Sequence, residues 1–178
     1  MRKITVDQLL AEYAKGNRDF RQIDLSQANL FECQLPEIDL RDSNLAGAYL
    51  PYANLSRANL QGANLEAADL SHARLQSANL ADANLSQANL SRADLWYGQC
   101  QNASLRQTNL QSADLRHANL KAADLTGADL SDANLEQANL EAALLYQSNL
   151  FRAAAVNLEQ AIYDGTTTLP DGHRGELG

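Results

Sequence analysis

The sequence predicts an all-β solenoid, and three observations predict it: leucine returns at every fifth position, a small residue precedes each leucine by two, and the pair after each leucine is polar. Leucine holds every fifth place from Leu25 to Leu150 except at Cys100, and Phe20 extends the register one unit earlier. Alanine fills 20 of the 27 small-residue places from 23 to 153; the others are Ile23, Cys33, Ile38, Ser43, Gly98, Thr108 and Ser148. Asn or Asp mostly stands between, giving about twenty-seven units of the form A-(N/D)-L-x-x. A period of five fits neither the 3.6 of an α-helix nor a long alternating strand. In a helix, residues five apart would turn through about 500° and scatter the leucines around the axis. A short extended piece fits better, with Ala and Leu inward, Asn or Asp outward, and the polar pair turning a corner. One unit cannot bury its own face, so coils must stack about 4.8 Å apart and share backbone hydrogen bonds.

Taken in chain order, the amino-terminal element is a helix over residues 5–15. Thr5-Val6-Asp7-Gln8 has the form of a capping box, Leu9, Leu10 and Tyr13 share one face, and Gly16 stops the turn. This helix, with residues 1–17 as the capping segment, covers an end that would otherwise expose apolar interior and unpaired edges. Residues 18–155 form the repeat. The run A-N-L-S-R-A-N-L-Q-G-A-N-L-E-A-A-D-L from Ala53 to Leu70 resembles the pentapeptide-repeat family, and the resemblance covers about three quarters of the chain. It implies a right-handed quadrilateral β-helix with four units, hence twenty residues, per coil. About seven coils follow, a rod of about 33 Å.

On a twenty-residue coil, residue i stacks on i+20, as neighbours do in a sheet. That rule pairs Glu37 with Arg57, Arg74 with Asp94, Arg116 with Glu136, Lys121 with Glu141, and Asp132 with Arg152; it also sets Arg21 on Arg41 and Asp94 on Asp114. Such exposed pairs contribute well under about 1 kcal/mol each. In mid-rod the pattern breaks at Leu95-Trp96-Tyr97-Gly98-Gln99-Cys100, where two aromatics take corner places that are usually polar. Trp96 neighbours Arg116, in cation–π reach, and Tyr97 neighbours His117. Two readings stand: a partner contact spot, or a local kink or bulge where coil packing changes. Tyr49, Pro51 and Tyr52 form a second aromatic cluster near His72. At the carboxyl end the register slips. Ala155 closes the old phase, Leu158 and Tyr163 open a new one, and residues 156–178 form a cap and tail. Leu144, Tyr146 and Phe151 stand at outward places, to be covered by the tail from Val156 to Leu169 or by a second copy or partner.

Composition narrows the function. The net charge of −8 argues against direct nucleic-acid binding, which needs a basic patch to release phosphate counterions. Cys33 and Cys100 form no CxxC pair and read as small core fillers in a reducing compartment. The first residues have neither the apolar run of a signal peptide nor that of a membrane span, so a cytoplasmic chain is expected. His72, His117 and His173 are isolated from any nucleophile or metal cluster, and Gly47, Gly62 and Gly127 make no phosphate loop. No catalytic, cofactor or metal site is expected, and the protein reads as a non-enzymatic scaffold for a protein partner, monomeric or dimerised end to end. Charge is also uneven: residues 1–121 hold 13 acids and 12 bases, residues 122–178 hold 9 acids and 2 bases. Some members of the family protect DNA gyrase from quinolones by resembling the acidic surface of duplex DNA, which makes a topoisomerase regulator the alternative. Those relatives carry projecting loops or a dimer-forming terminal helix, and this sequence shows neither. Dense repeats of this kind are common in cyanobacterial members.

Overall fold

The computed structural model describes residues 1–175; the last three residues of the expected tail lie outside the described residues. Chain order begins with β1 (Arg2–Lys3), α1 (Val6–Ala14) and β2 (Ile23–Asp24), with β1 parallel to β2 and Arg2 opposite Ile23. Thr5 caps α1 with the reciprocal box: its Oγ1 accepts from the Gln8 N–H at 3.2 Å, and Gln8 Oε1 accepts from the Thr5 N–H at 2.9 Å. The helix buries Leu9 against the first leucines, and the Tyr13 hydroxyl donates to the Pro36 carbonyl at 2.6 Å.

From Asp19 onward each unit contributes a single bridged residue, and every bridge up to Asn134↔Ala154 joins i to i+20 in parallel. The extended pieces are thus shorter than named strands, because two of five residues make the corner and only three remain between corners. The backbone accounts for itself within one unit. Over residues 59–63, the Asn59 N–H donates to the Ile38 carbonyl (2.8 Å), Leu60 to Asn79 (2.7 Å), Gly62 to Ala81 (3.0 Å), and Ala63 closes the turn on Leu60 (3.0 Å). The remaining donor, Gln61 N–H, goes to Asn59 Oδ1 at 3.2 Å. This Asx turn is why Asn or Asp precedes the leucine. Where the next coil also has Asn, its amide in most cases donates back to the coil before, as Asn79 Nδ2 does to Asn59 Oδ1 at 3.2 Å.

At every corner from 22 to 152 the second residue has positive φ, as in a type II turn, and only Gly47, Gly62 and Gly127 among them are glycine. Inside, the leucines and alanines form one continuous core, almost all at or below 2% exposure. Hydroxyl residues at small-residue places are reconciled by hydrogen bonds to carbonyls, across coils for Ser43 Oγ to Phe20 (3.1 Å) and Thr108 Oγ1 to Leu85 (2.9 Å) and within the turn for Ser148 Oγ to Leu145 (2.7 Å).

Past Ala155, itself at φ 55°, the stacking offset falls to 18 at Leu144↔Ile162 and 19 at Asn149↔Thr168. Leu158 takes a leucine role in the new phase: the Ala161 N–H closes on its carbonyl at 3.1 Å, and Asn157 Oδ1 accepts from Glu159 N–H at 2.9 Å. A final antiparallel bridge, Thr168↔Arg174, folds the tail back. Val156, Leu158, Ala161 and Tyr163 are half-buried around the concavity at this end. No helix among the described residues is long and apolar enough to cross a membrane.

Candidate functional site

Aromatic side chains gather where the coil presents its outer corners. Tyr97 lies on His117 with ring centroids 4.6 Å apart and planes 14° from parallel, and Tyr52 on His72 at 4.7 Å and 10°. Both pairs come from the i and i+20 register at the positive-φ corner place, where stacked coils hold successive side chains one above the other. Trp96 tilts against Tyr97 at 4.8 Å. Phe31, a residue the pattern had not singled out, stacks on Tyr49 at 6.0 Å and meets Tyr52 edge-on at 6.1 Å. Its signal was legible: it occupies the same corner place as Trp96, where the repeat is mostly polar and where large apolar side chains otherwise come only at Tyr146 and Phe151. Phe31, Tyr49, Tyr52, Trp96 and Tyr97 are 43% to 51% exposed.

These residues share one region. The outward places Gln34, Asn54, Arg74, Asp94 and Asp114 form the middle column of one face of the rod, in single-bridge register. The corner before that face carries Phe31, Tyr52, His72 and Arg92, and the corner after it carries Trp96, Tyr97, Arg116 and His117. An aromatic stripe therefore climbs diagonally from Tyr49 across the face to His117. There is no bulge in it: Gln99 keeps the twenty-residue register with both Asn79 and Asn119. Gly98 is explained by its tight turn, in which a Cβ would approach the Leu95 carbonyl oxygen to 2.9 Å.

Electrostatics departs from the simple stacking map. Of five expected cross-coil pairs, Arg57–Glu37 (2.5 Å) and Lys121–Glu141 (2.8 Å) form. Arg116 turns instead to Asp114 in its own unit, with Nε on Oδ1 at 2.8 Å and Nη2 on Oδ2 at 2.6 Å. A bidentate, charge-assisted contact two residues away outcompetes both Glu136 and the Trp96 ring, so the expected cation–π contact at Trp96 is not made. Arg21–Asp19 and Arg41–Asp39 use the same clamp, which relieves the like-charge stacking of Arg21 on Arg41. Asp94 is taken by Gln76 Nε2 (2.5 Å) and the Trp96 N–H (3.1 Å), and Arg152 lies over the Phe151 ring at 5.0 Å. Arg74 and Arg92 remain exposed with no ion-pair partner among the described residues.

At the carboxyl end, Leu144 is half-buried beside Ile162, Tyr146 is half-buried, and Phe151 is 40% exposed with its ring against Gly172. Cys100 is buried in the leucine column, which pushes its thiol up to about 12; burial also raises that of half-buried Cys33. Among the described residues no group of three or more His, Cys, Asp or Glu is placed to hold a metal ion.

A family model described as "Pentapeptide repeats" matches in 8 copies, over residues 17–45, 23–62, 38–76, 58–96, 99–137 and 128–157. Comparison with curated proteins finds no match. Among solved structures the chain is similar to HetL of the cyanobacterium Nostoc sp. strain PCC 7120, a protein involved in heterocyst differentiation regulation, at 25% identity over 97% of this chain and 100% of that one, with a TM-score of 0.34. It is also similar to a trypsin-treated form of QnrB1, a plasmid-mediated fluoroquinolone resistance protein, at 18% identity over 84% of this chain and 78% of that one, with a TM-score of 0.55. The second likeness is one of fold.

Proposed function

Because the chain belongs to the pentapeptide-repeat family, we propose that it is a right-handed quadrilateral β-helix working as a non-enzymatic scaffold, and that the diagonal aromatic stripe is where it holds a protein partner. One observation carries the reading. On a rod whose corners are otherwise mostly small and polar before the carboxyl end, Phe31, Tyr52, Trp96 and Tyr97 flank one face and Tyr49 stands on the face before it, all about half exposed. Aromatic side chains are the residues from which interface hot spots are most often built, since they bury large area at little conformational cost. The rigid coil fixes their spacing before binding, which removes part of the ordering cost of association. The partly exposed apolar groups at the carboxyl end, Leu144, Tyr146 and Phe151, are a secondary contact place. A cytoplasmic setting fits two free cysteines.

The test is affinity capture with the unaltered protein beside a Trp96→Ala, Tyr97→Ala variant. Loss of specific partners from the variant supports the stripe, and identical partner lists remove it.

The excess of 9 acids over 2 bases in residues 122–178 favours a second reading, a gyrase regulator that imitates duplex DNA. Against it, Lys121 and Arg106 reach forward to neutralise Glu141 and Asp124. Gyrase supercoiling unaffected by the protein, with no protection from quinolone, would end that reading.

A further inference from the structure

Two arginines on the stripe carry the argument for the chemistry of its occupant. On a chain of net charge −8, Glu32 and Glu136 stand without ion-pair partners among the described residues at the two ends of the stripe, but the carboxylates between them are already engaged: Glu37 by Arg57, Asp94 by Gln76 and the Trp96 N–H, and Asp114 by Arg116. Arg74 and Arg92 are not. Arg74 stands in the centre of the face, bridged between Asn54 and Asp94, and Arg92 follows His72 in the adjoining corner column. Two guanidinium groups without ion-pair partners thus sit between the Tyr52–His72 stack and the Trp96–Tyr97–His117 cluster. Guanidinium planes match carboxylates in two-point contact, which a hydrated lysine ammonium does less well.

We propose that this face takes an extended acidic segment of a partner protein, whose carboxylates meet Arg74 and Arg92 while a planar or apolar side chain packs beside Trp96. The inference rests on the scaffold reading above and adds the partner's chemistry to it. From Phe31 to His117 the stripe climbs about four coils, ~19 Å along the axis, and it also crosses one face. An extended chain at ~3.3 Å per residue covers that path with about six to eight residues. Exposed charge contacts are individually weak and screened by salt, so the complex is expected in the micromolar range and to weaken as salt rises.

Trp96 is the sole tryptophan, so its emission reports on the stripe directly. The probe is a random Glu–Tyr copolymer, with a Lys–Tyr copolymer and a single-stranded oligonucleotide as comparisons. Saturable change with the Glu–Tyr copolymer is expected, weakened about tenfold in an Arg74→Ser, Arg92→Ser variant and kept within about threefold in Arg74→Lys, Arg92→Lys. A response equal in the serine variant, no saturable response, or preference for the Lys–Tyr copolymer or the oligonucleotide overturns the acidic occupant. If the copolymer fails while Trp96→Ala, Tyr97→Ala still loses its captured partners, the surface reading stands and only the acidic chemistry falls.

Discussion

Tyr97 and His117 lie ring on ring, 4.6 Å apart and 14° from parallel, although twenty residues separate them. The contact exists because both occupy the same corner place on successive coils. Replacing either by alanine removes the stack, and a double-mutant cycle in urea unfolding is expected to give a coupling of about 0.5–1.5 kcal/mol. Strict additivity of the two substitutions would mean that the rings are neighbours without interaction.

The corners hold side chains in the left-handed region at 24 non-glycine places from Gln22 to Arg152. Each carries a conformational cost of about 1–2 kcal/mol relative to right-handed backbone. Ala122 sits at φ 56°, so Ala122→Gly is expected to stabilise the fold by about 0.5–1 kcal/mol after the larger unfolded-state entropy of glycine is subtracted. The reverse change, Gly47→Ala, adds a Cβ that would lie 1.9 Å from Gln27 Nε2 at φ 63° and should lower the urea midpoint.

Asn79 serves two coils at once, accepting from the Ala81 N–H at 3.1 Å and donating to Asn59 Oδ1 at 3.2 Å. Asn79→Ala leaves a corner N–H without its acceptor and is expected to cost about 1 kcal/mol. Asn79→Asp keeps the acceptor and should cost less; if alanine and aspartate behave alike in thermal melts, the Asx turn is not what stabilises the corner.

Thiol chemistry should separate the two cysteines. With its pKa pushed to about 12, Cys100 holds almost no thiolate at pH 8, and it is buried as well. Native protein treated with a disulfide reagent is expected to modify Cys33 slowly and Cys100 not at all, with both reacting once denatured. Cys100→Leu restores the repeat, and any loss of stability on that change would show that the coil has repacked around the smaller side chain.

Acid should loosen the arginine clamps. Hydrogen bonding from Arg21 holds Asp19 at about 2 against its ordinary 3.8, and Arg41 and Arg116 likewise lower Asp39 and Asp114. A depressed carboxylate contributes stability that is present above the unfolded value and lost as pH falls through the folded one. The urea midpoint is therefore expected to be flat from pH 7 to about 5 and to fall between about pH 4 and 2. An Asp19→Asn, Asp39→Asn, Asp114→Asn variant should show a shallower acid limb, and an unchanged limb would assign the acid sensitivity to other carboxylates.

The repeat itself carried most of this molecule in one dimension. Leucine at every fifth place, a small residue two before it and an Asx side chain between them determine the inward pair, the Asx turn and the i+20 stacking, because each unit is local and its neighbours repeat the same geometry. The helix capped at Thr5 and the change of phase at Leu158 and Tyr163 were legible for the same reason. What only the tertiary structure decided lies on the surface, where one side chain has several partners in reach. The i+20 rule offered Arg116 both Glu136 and Trp96, yet it clamps Asp114 two residues away, since a bidentate contact within one rigid turn fixes fewer free torsions than one across coils. Gln76 and the Trp96 N–H took Asp94 and left Arg74 without an ion-pair partner, while packing gathered Phe31 with Tyr49 and Tyr52. Backbone periodicity sets where each side chain starts; the choice among neighbours is made by packing and charge in three dimensions.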